Sequence, residues 1–193
     1  MNNYAPILLF VYNRPEHLKQ LIASLQANAE AAQSMLFIYT DAARNKADEE
    51  QVNKVREVIR HIDGFASIEV VERATNWGLA RNIIGGVTEQ IRRYGRVIVL
   101  EDDLVVAPYF LRFMNDALEA YKDEPQVGHI QACDFTQDAS LPDTFLIKFT
   151  QTRLLIYDLG MEEESDNGPC WCCKSRIFKQ EGLGRDNTGF YSS

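Results

Sequence analysis

Three consecutive carboxylates, Glu101, Asp102 and Asp103, follow directly on an apolar run at residues 97–100. An uninterrupted apolar run is typical of a central strand in a parallel sheet, and ligands bind where such strands end. Carboxylate oxygens suit Mg²⁺ or Mn²⁺, and Mg²⁺ commonly takes one or two of them and completes its shell with water and substrate phosphates. The motif therefore predicts a metal ion that holds a diphosphate.

The same acids would also suit the start of a helix, because carboxylates interact favourably with the positive end of the helix dipole. A helical pattern does follow, and Pro108 is expected at its first position. Residues 104–107 separate the acids from this proline. The acids therefore come too early for a helix start, which favours the metal site.

Polar side chains also follow the three earlier apolar runs of the chain. Asn13 and Arg14 follow the first run, Asp41 and Arg44 the second, and Asn76 the third. Because the ends of parallel strands share one edge, a nucleotide lying across that edge could meet Arg14 and Asp41 near its base. Each residue also has a purely structural alternative, as a helix cap, a surface charge or the end of a strand.

Four successive strand–helix units would position these residues. The segments at residues 5–12, 35–40, 67–72 and 97–100 predict strands, of which the first and the last are expected to be buried, and the spacing of apolar residues after each segment predicts a helix. Such units predict right-handed crossovers and a mainly parallel sheet with helices on both faces, which is an α/β fold. Two further strands are predicted at residues 127–133 and 144–149.

The composition restricts the kinds of partner. The chain has 193 residues, of which 46% are hydrophobic, and this is enough to bury a core of ordinary size. A formal net charge of −8 argues against nucleic acid, because neutralising phosphates requires clustered Lys and Arg. No apolar stretch approaches the ~20 residues that span a bilayer, and no export signal is visible at the start. These features predict a cytoplasmic protein without a transmembrane segment.

The block at residues 99–110 joins the apolar strand, the three acids and the Ala107-Pro108 pair with the aromatic residues after it. Together with the polar residues after the earlier strands, it resembles the nucleotide-sugar-dependent glycosyltransferases of the Rossmann-like GT-A fold. N-acetylglucosaminyltransferase I and bacterial family-two-like sugar transferases are members of this group. The resemblance covers residues 5–150, which corresponds to the N-terminal, donor-binding part of the fold.

The resemblance implies a role for each acid. Asp103 would bind Mn²⁺ or Mg²⁺, Asp102 would contact the metal shell or the ribose, and Glu101 would lie near the donor sugar. A divalent cation would act as a Lewis acid on the departing nucleoside diphosphate.

The resemblance also assigns the other polar residues to the nucleotide. Arg14, next to Asn13, matches a family arginine at the base, and Asp41 matches an aspartate that hydrogen-bonds uracil. Asn76 begins a segment similar to the family's Asn-x-Gly segment. The donor implied is a UDP-sugar.

The implied activity is inverting sugar transfer in bacterial polysaccharide or glycan synthesis. The acceptor would be a glycan or a lipid-linked molecule, with peripheral association at a membrane as one way to reach it. Inverting members of the group use a carboxylate base from the later part of the fold. This base is not recognisable in the present sequence.

The pattern decays beyond residue 150, which predicts a nucleotide-sugar-binding domain at residues 1–150 and an irregular tail at residues 151–193. Relatives carry a Trp-Gly-Trp segment after the strand at residues 144–149, whereas this chain has Leu159-Gly160-Met161. A one-base frameshift near residue 150 would give this triplet, and a truncated or divergent short protein is the alternative.

Two other functions remain open from the sequence. Without an acceptor half and a base, the chain could be a catalytically silent remnant that binds a nucleotide-sugar. A nucleotidyltransferase also uses acidic metal ligands, but it would need a glycine-rich loop after the first strand. Residues 12–16 contain no glycine, which argues against this function.

Overall fold

The computed structural model describes residues 4–124 together with Val127, Ile130 and Ala132. Strands and helices alternate along this part of the chain. They are β1 (Ile7–Val11), α1 (Pro15–Gln26), β2 (Met35–Thr40), α2 (Glu49–Ile59), β3 (Ser67–Glu72), α3 (Leu79–Tyr94), β4 (Ile98–Glu101) and α4 (Phe110–Ala120), with a 3₁₀ turn at Ala31–Gln33. None of these helices is long and apolar enough to cross a membrane. The strands predicted at 127–133 and 144–149, and the boundary predicted at residue 150, lie outside the described residues.

The four strands form one all-parallel sheet in the order β3-β2-β1-β4. In the central strand, Val11 pairs with Thr40 of β2, and Phe10 pairs with Glu101 of β4. The carboxyl ends of three strands therefore meet at one edge of the sheet. The predicted α/β fold with a parallel sheet is confirmed.

Alternating side chains of the strands form two apolar layers, because successive residues of a strand point to opposite faces. Ile7, Leu9 and Val11 of β1 pack in a layer with residues of α1, α2 and α4. Leu8 and Phe10 pack on the other face, in a layer with residues of α3. Helices therefore cover both faces of the sheet, as the sequence pattern predicts.

Three element boundaries differ from the sequence prediction. β1 is shorter than the run at residues 5–12. Glu101 is the last residue of β4 rather than the first residue after it, because its backbone is still paired with Phe10. The proposed first helical position of Pro108 is wrong: α4 begins at Phe110, and Tyr109 is its N-cap. Hydrogen bonds of Asn28 with the backbone of Ala107 and Leu111 accompany this later start.

Two adjacent glycines of α3 lead to opposite predictions for stability. A methyl group added at Gly86 would lie 2.9 Å from Tyr39 Cζ and 3.0 Å from Phe10 Cζ, two rings that stack on each other in the core. A methyl group at Gly85 would make an ordinary contact at 3.6 Å with Trp77. We expect Gly86→Ala to destabilise the protein by ~1–2 kcal/mol net. Overpacking a core costs about 1–3 kcal/mol, and the higher helix propensity of alanine offsets part of this cost.

Gly85→Ala is the matched control, because it gives the same gain in helix propensity without the clash. It should stabilise the protein by about 0.5–1 kcal/mol. Chemical denaturation of both variants and the wild type measures the two effects. Equal stability of the two variants would contradict the close packing of α3 on the aromatic pair.

Candidate functional site

A cleft of about 200 Å³ opens at the edge of the sheet where β1, β2 and β4 end. Its wall contains most of the residues that the sequence predicts for the site, namely Asn13, Arg14, Asp41, Asn76, Glu101 and Asp102. Asp103 lies beside this wall, where its carboxylate is 3.3 Å from the Arg14 guanidinium. The fold thus brings side chains from four separate segments of the chain to one place.

The three acids at the end of β4 differ in their exposure. The Asp102 side chain is 11% exposed and the Asp103 side chain 37%, and Glu101 is half-buried. Asp102 Oδ2 accepts a hydrogen bond from the Tyr12 N–H at 3.3 Å. Arg14 Nη1 lies 3.3 Å from Asp103 Oδ2 and 3.8 Å from Asp102 Oδ1. Asp102 and Asp103 are therefore close enough to share one cation.

Burial raises the pKa of the Asp102 carboxyl group above its ordinary value, because the surroundings disfavour the charged form. The Tyr12 N–H and the Arg14 guanidinium act in the opposite direction, and so does His17. The negative charge of Asp103 adds to the effect of burial. The positive charge of Arg14 and His17 thus does not fully offset the effect of burial on the Asp102 carboxylate. A divalent cation would add positive charge at this position.

The donor set fits a hard divalent cation that brings further ligands with it. Asp102 and Asp103 offer carboxylate oxygens, which Mg²⁺ and Mn²⁺ prefer. Within the described residues, no group of three His, Cys, Asp or Glu side chains is arranged to hold a metal ion. A cation at the two aspartates would therefore take its other ligands from water and substrate oxygens, as Mg²⁺ commonly does with phosphates.

The segment after the acids is fixed to α1 and the turn that follows it. Ser24 Oγ accepts a hydrogen bond from the Val106 N–H at 3.1 Å. The buried Asn28 donates from Nδ2 to the Ala107 carbonyl at 3.1 Å and accepts at Oδ1 from the Leu111 N–H at 3.0 Å. A buried polar network of this kind restricts the backbone strongly. It holds the acids in place relative to α1 and delays the start of α4.

Asp41, at the end of β2, has a carboxylate that is engaged by the backbone. Oδ1 accepts hydrogen bonds from the N–H groups of Ala42 and Trp77, each at 2.9 Å, and Oδ2 accepts one from Gly78 at 2.8 Å. The side chain is buried and joins the end of β2 to the turn before α3. The structure gives Asp41 a bracing role, and its contact with a nucleotide base stays a prediction.

Asn13 and Asn76 hold the loops around the cleft through their amide nitrogens. Asn13 donates to Asp48 Oδ1 at 3.2 Å, and the Tyr12 hydroxyl donates to the other oxygen of Asp48 at 2.9 Å. Asn76 donates to the Ala42 carbonyl at 2.6 Å. Both asparagines therefore shape the cleft in the absence of a ligand.

Sequence reasoning missed Tyr12 as a residue of the site, because the apolar run includes it. Tyr12 lines the cleft, and its hydroxyl accepts a hydrogen bond from the Arg44 N–H at 2.9 Å while it donates to Asp48. Tyr12 thus joins the β1–α1 loop to the β2–α2 loop. A tyrosine at a strand end, directly before Asn13, is a signal that could have pointed to this role.

Residues at the start of α3 form another part of the wall that the sequence left undefined. Gly78, Leu79 and Asn82 line the cleft, and the buried Asn82 accepts a hydrogen bond from Arg73 Nε at 3.0 Å. The Arg73 guanidinium lies 3.9 Å from the centre of the Trp77 ring, and a second guanidinium, that of Arg81, lies 4.4 Å from it. These contacts fix the turn that precedes α3.

The similarity of this chain to known proteins is low. No family model matches the sequence, and no curated protein matches it. A solved structure of TarS from S. aureus, a glycosyltransferase, is 16% identical with a TM-score of 0.42, and the match covers 72% of this chain and 24% of TarS. A structure of TarS 1–349 is 15% identical with a TM-score of 0.45, covering 78% of this chain and 41% of the other. The chain spans less than half of either structure. At these TM-scores, the similarity is too low to support a conclusion.

Proposed function

We propose that this chain binds a nucleotide-diphospho-sugar, a UDP-sugar in the first instance, together with Mn²⁺ or Mg²⁺, and acts as a glycosyltransferase. The observation that carries the proposal is the position of Asp102 and Asp103 at the carboxyl edge of the sheet, at the cleft. In open α/β sheets this edge is where ligands bind. A buried aspartate whose charge is poorly compensated supports a cation there.

Charge explains why the metal and the nucleotide would bind together. The chain carries a net charge of −8, and the cleft contains Glu101 and Asp102. Arg14 and Arg44 also line the cleft, but Arg14 is already paired with Asp102 and Asp103. A divalent cation between the diphosphate and the carboxylates would offset their repulsion. When bound, the metal would stabilise the negative charge that gathers on the leaving diphosphate. Binding of UDP should therefore depend on the divalent cation.

The remaining wall residues have roles in this proposal. Asp102 and Asp103 hold the cation, and Glu101 lies on the sugar side of the diphosphate. Asn13, Arg14 and Asn76 contact the nucleotide, and Asp41 keeps the turn before α3 in position. We further propose transfer with inversion to a glycan or lipid-linked acceptor in bacterial polysaccharide or glycan synthesis, in the cytoplasm and with peripheral membrane association.

A thermal-shift comparison of nucleoside diphosphates tests the donor site. UDP with Mn²⁺ should raise the melting temperature clearly, since a ligand at 100 times its Kd stabilises a protein by about 2.7 kcal/mol. UDP alone and Mn²⁺ alone should give much smaller shifts, and ADP or GDP with Mn²⁺ should give less than UDP. Equal shifts with all nucleotides, or a UDP shift that is unchanged by EDTA, would contradict the proposal.

Release of UDP from a UDP-sugar distinguishes an enzyme from a silent binding remnant. Slow release that needs Mn²⁺ and disappears in Asp103→Ala supports the glycosyltransferase. Metal-dependent binding of UDP without any release supports the remnant instead.

A further inference from the structure

Arg14 provides a cation at the acidic pair when no metal is present. Its Nη1 lies 3.3 Å from Asp103 Oδ2 and 3.8 Å from Asp102 Oδ1, which are the carboxylates assigned above to the divalent ion. Arg14 is therefore in contact with the predicted metal ligands, whereas the resemblance places it at the nucleotide base. These contacts bear directly on how a metal ion could enter.

A guanidinium and a divalent cation would compete for the same oxygens. Two positive groups that share one pair of carboxylates repel each other, and the Asp102 carboxylate is too buried to rotate freely into water. The Asp102 charge also needs a partner in the unliganded protein, because an unpaired buried charge is strongly unfavourable. Arg14 and the Tyr12 N–H provide this partner.

We propose that Arg14 is a resident counter-ion that the metal displaces, and that its released guanidinium then binds the diphosphate of the nucleotide. This inference rests on the proposed function, and it concerns the order and coupling of binding rather than the site itself. It changes the expected partner of Arg14 from the base to the phosphates, for which a guanidinium is well suited.

The position of Arg14 allows such a movement. About half of its side chain is exposed (52%), so it can swing away without unpacking the core. Arg14 also lines the cleft, which keeps its guanidinium within reach of a bound ligand. Its backbone carbonyl accepts the Leu18 N–H at 3.1 Å in the first turn of α1, and a substitution of the side chain leaves this bond intact.

The expected consequence is positive coupling between metal and nucleotide. When the metal binds alone, it displaces Arg14 from the aspartates and leaves the guanidinium without an anionic partner. When UDP binds as well, its diphosphate provides a new anionic partner for Arg14. The coupling is reciprocal, so each ligand should raise the affinity for the other by the same factor. A protein with this arrangement would bind little Mn²⁺ until the nucleotide is present.

Titration calorimetry with Mn²⁺, in the absence and presence of UDP, tests the inference on the wild type and on Arg14→Met. Without UDP, Arg14→Met should bind Mn²⁺ about 5-fold more tightly than the wild type, because the competing cation is gone. The factor by which UDP strengthens Mn²⁺ binding should fall by a similar amount. Arg14→Lys, which keeps a positive charge, should lie between the two proteins.

Lys19→Met is the matched control. Like Arg14→Met it removes one positive charge, but from the exposed surface of α1, where Lys19 pairs with Glu16. It should leave the Mn²⁺ affinity within about 2-fold of the wild type, because the Lys19 ammonium is exposed and paired with Glu16 rather than with the acids. Weaker or unchanged Mn²⁺ binding in Arg14→Met would overturn the inference and leave the proposed function standing. Absence of Mn²⁺ binding in every protein, with or without UDP, would overturn both.

Discussion

Asp102→Asn is expected to abolish metal-dependent binding of UDP while it raises the stability of the unliganded protein. Loss of a hydrogen-bond partner of a metal ligand typically weakens metal binding 10- to 100-fold, so loss of a ligand should cost more than about 100-fold. The gain in stability follows from the buried carboxylate, whose ionised form is disfavoured in the folded protein. Removal of a functional group from a site often has these two opposite effects.

The gain in stability should depend on pH in a defined direction. The pKa of Asp102 is raised in the folded protein above its ordinary value of 3.8, mainly by burial. At pH values above the pKa of Asp102 in the folded protein, its ionisation has its full destabilising effect on the folded state. Below pH 3.8 the carboxyl group is protonated in both the folded and the unfolded protein, and the effect disappears. The advantage of Asp102→Asn over the wild type should be largest near pH 7 and should shrink as the pH falls toward 3.8.

Thermal unfolding with EDTA, and again with Mn²⁺ and UDP, measures both effects on the same samples. Asp63→Asn is the control, because Asp63 is an exposed aspartate that accepts a hydrogen bond from Gln26 far from the acids. It should behave as the wild type under all conditions. A less stable Asp102→Asn protein that still responds to Mn²⁺ would contradict the assignment of Asp102 to the metal.

Asp41→Asn is expected to cause the largest loss of stability among single polar substitutions in the site. The carboxylate accepts backbone hydrogen bonds from Ala42, Trp77 and Gly78. An asparagine keeps only one of the two accepting oxygens. Its NH₂ group would take the place of the other oxygen and would face a backbone N–H, which is also a donor. Since a buried donor without a partner costs about 1–3 kcal/mol, we expect a loss of ~2–4 kcal/mol. This corresponds to roughly 5–15 °C in Tm for a protein of this size.

The same variant separates the bracing role of Asp41 from a role in reading the base. If Asp41 is a brace, stability falls, and the preference for UDP over other nucleoside diphosphates among the remaining folded molecules is unchanged. Asp63→Asn again serves as the control and should change stability by less than ~0.5 kcal/mol. Nearly wild-type stability combined with a loss of the preference for UDP would show that Asp41 binds the nucleotide base.

The sheet and its order of elements could be predicted because they depend on local patterns. β1, β2 and β4 are mainly apolar, β3 mixes apolar and acidic residues, and each helix has an apolar stripe. These patterns are visible without tertiary information. Strand order and the start of α4 could not be obtained in this way. The start of α4 depends on Asn28, which lies far away in the sequence and binds the backbone at Ala107 and Leu111.

The candidate site was predictable in its residue types and less so in its contacts. Polar residues at the ends of β1, β2 and β4 had to meet at one edge, since the strands are parallel. Which of them would pair was not predictable, because this depends on side-chain reach and burial. Arg14 and Asp41 both line the cleft, but Arg14 contacts Asp103, and the Asp41 carboxylate accepts hydrogen bonds from the turn at Trp77.

A crystal structure of the protein grown with MnCl₂ and UDP tests the central claim most directly. Anomalous scattering from manganese should give a peak in contact with the carboxylates of Asp102 and Asp103, with diphosphate oxygens as further ligands and with Arg14 moved from Asp103 to the phosphates. A manganese peak elsewhere on the protein would contradict the claim. UDP bound outside the cleft, with the Arg14–Asp103 pair intact, would contradict it equally.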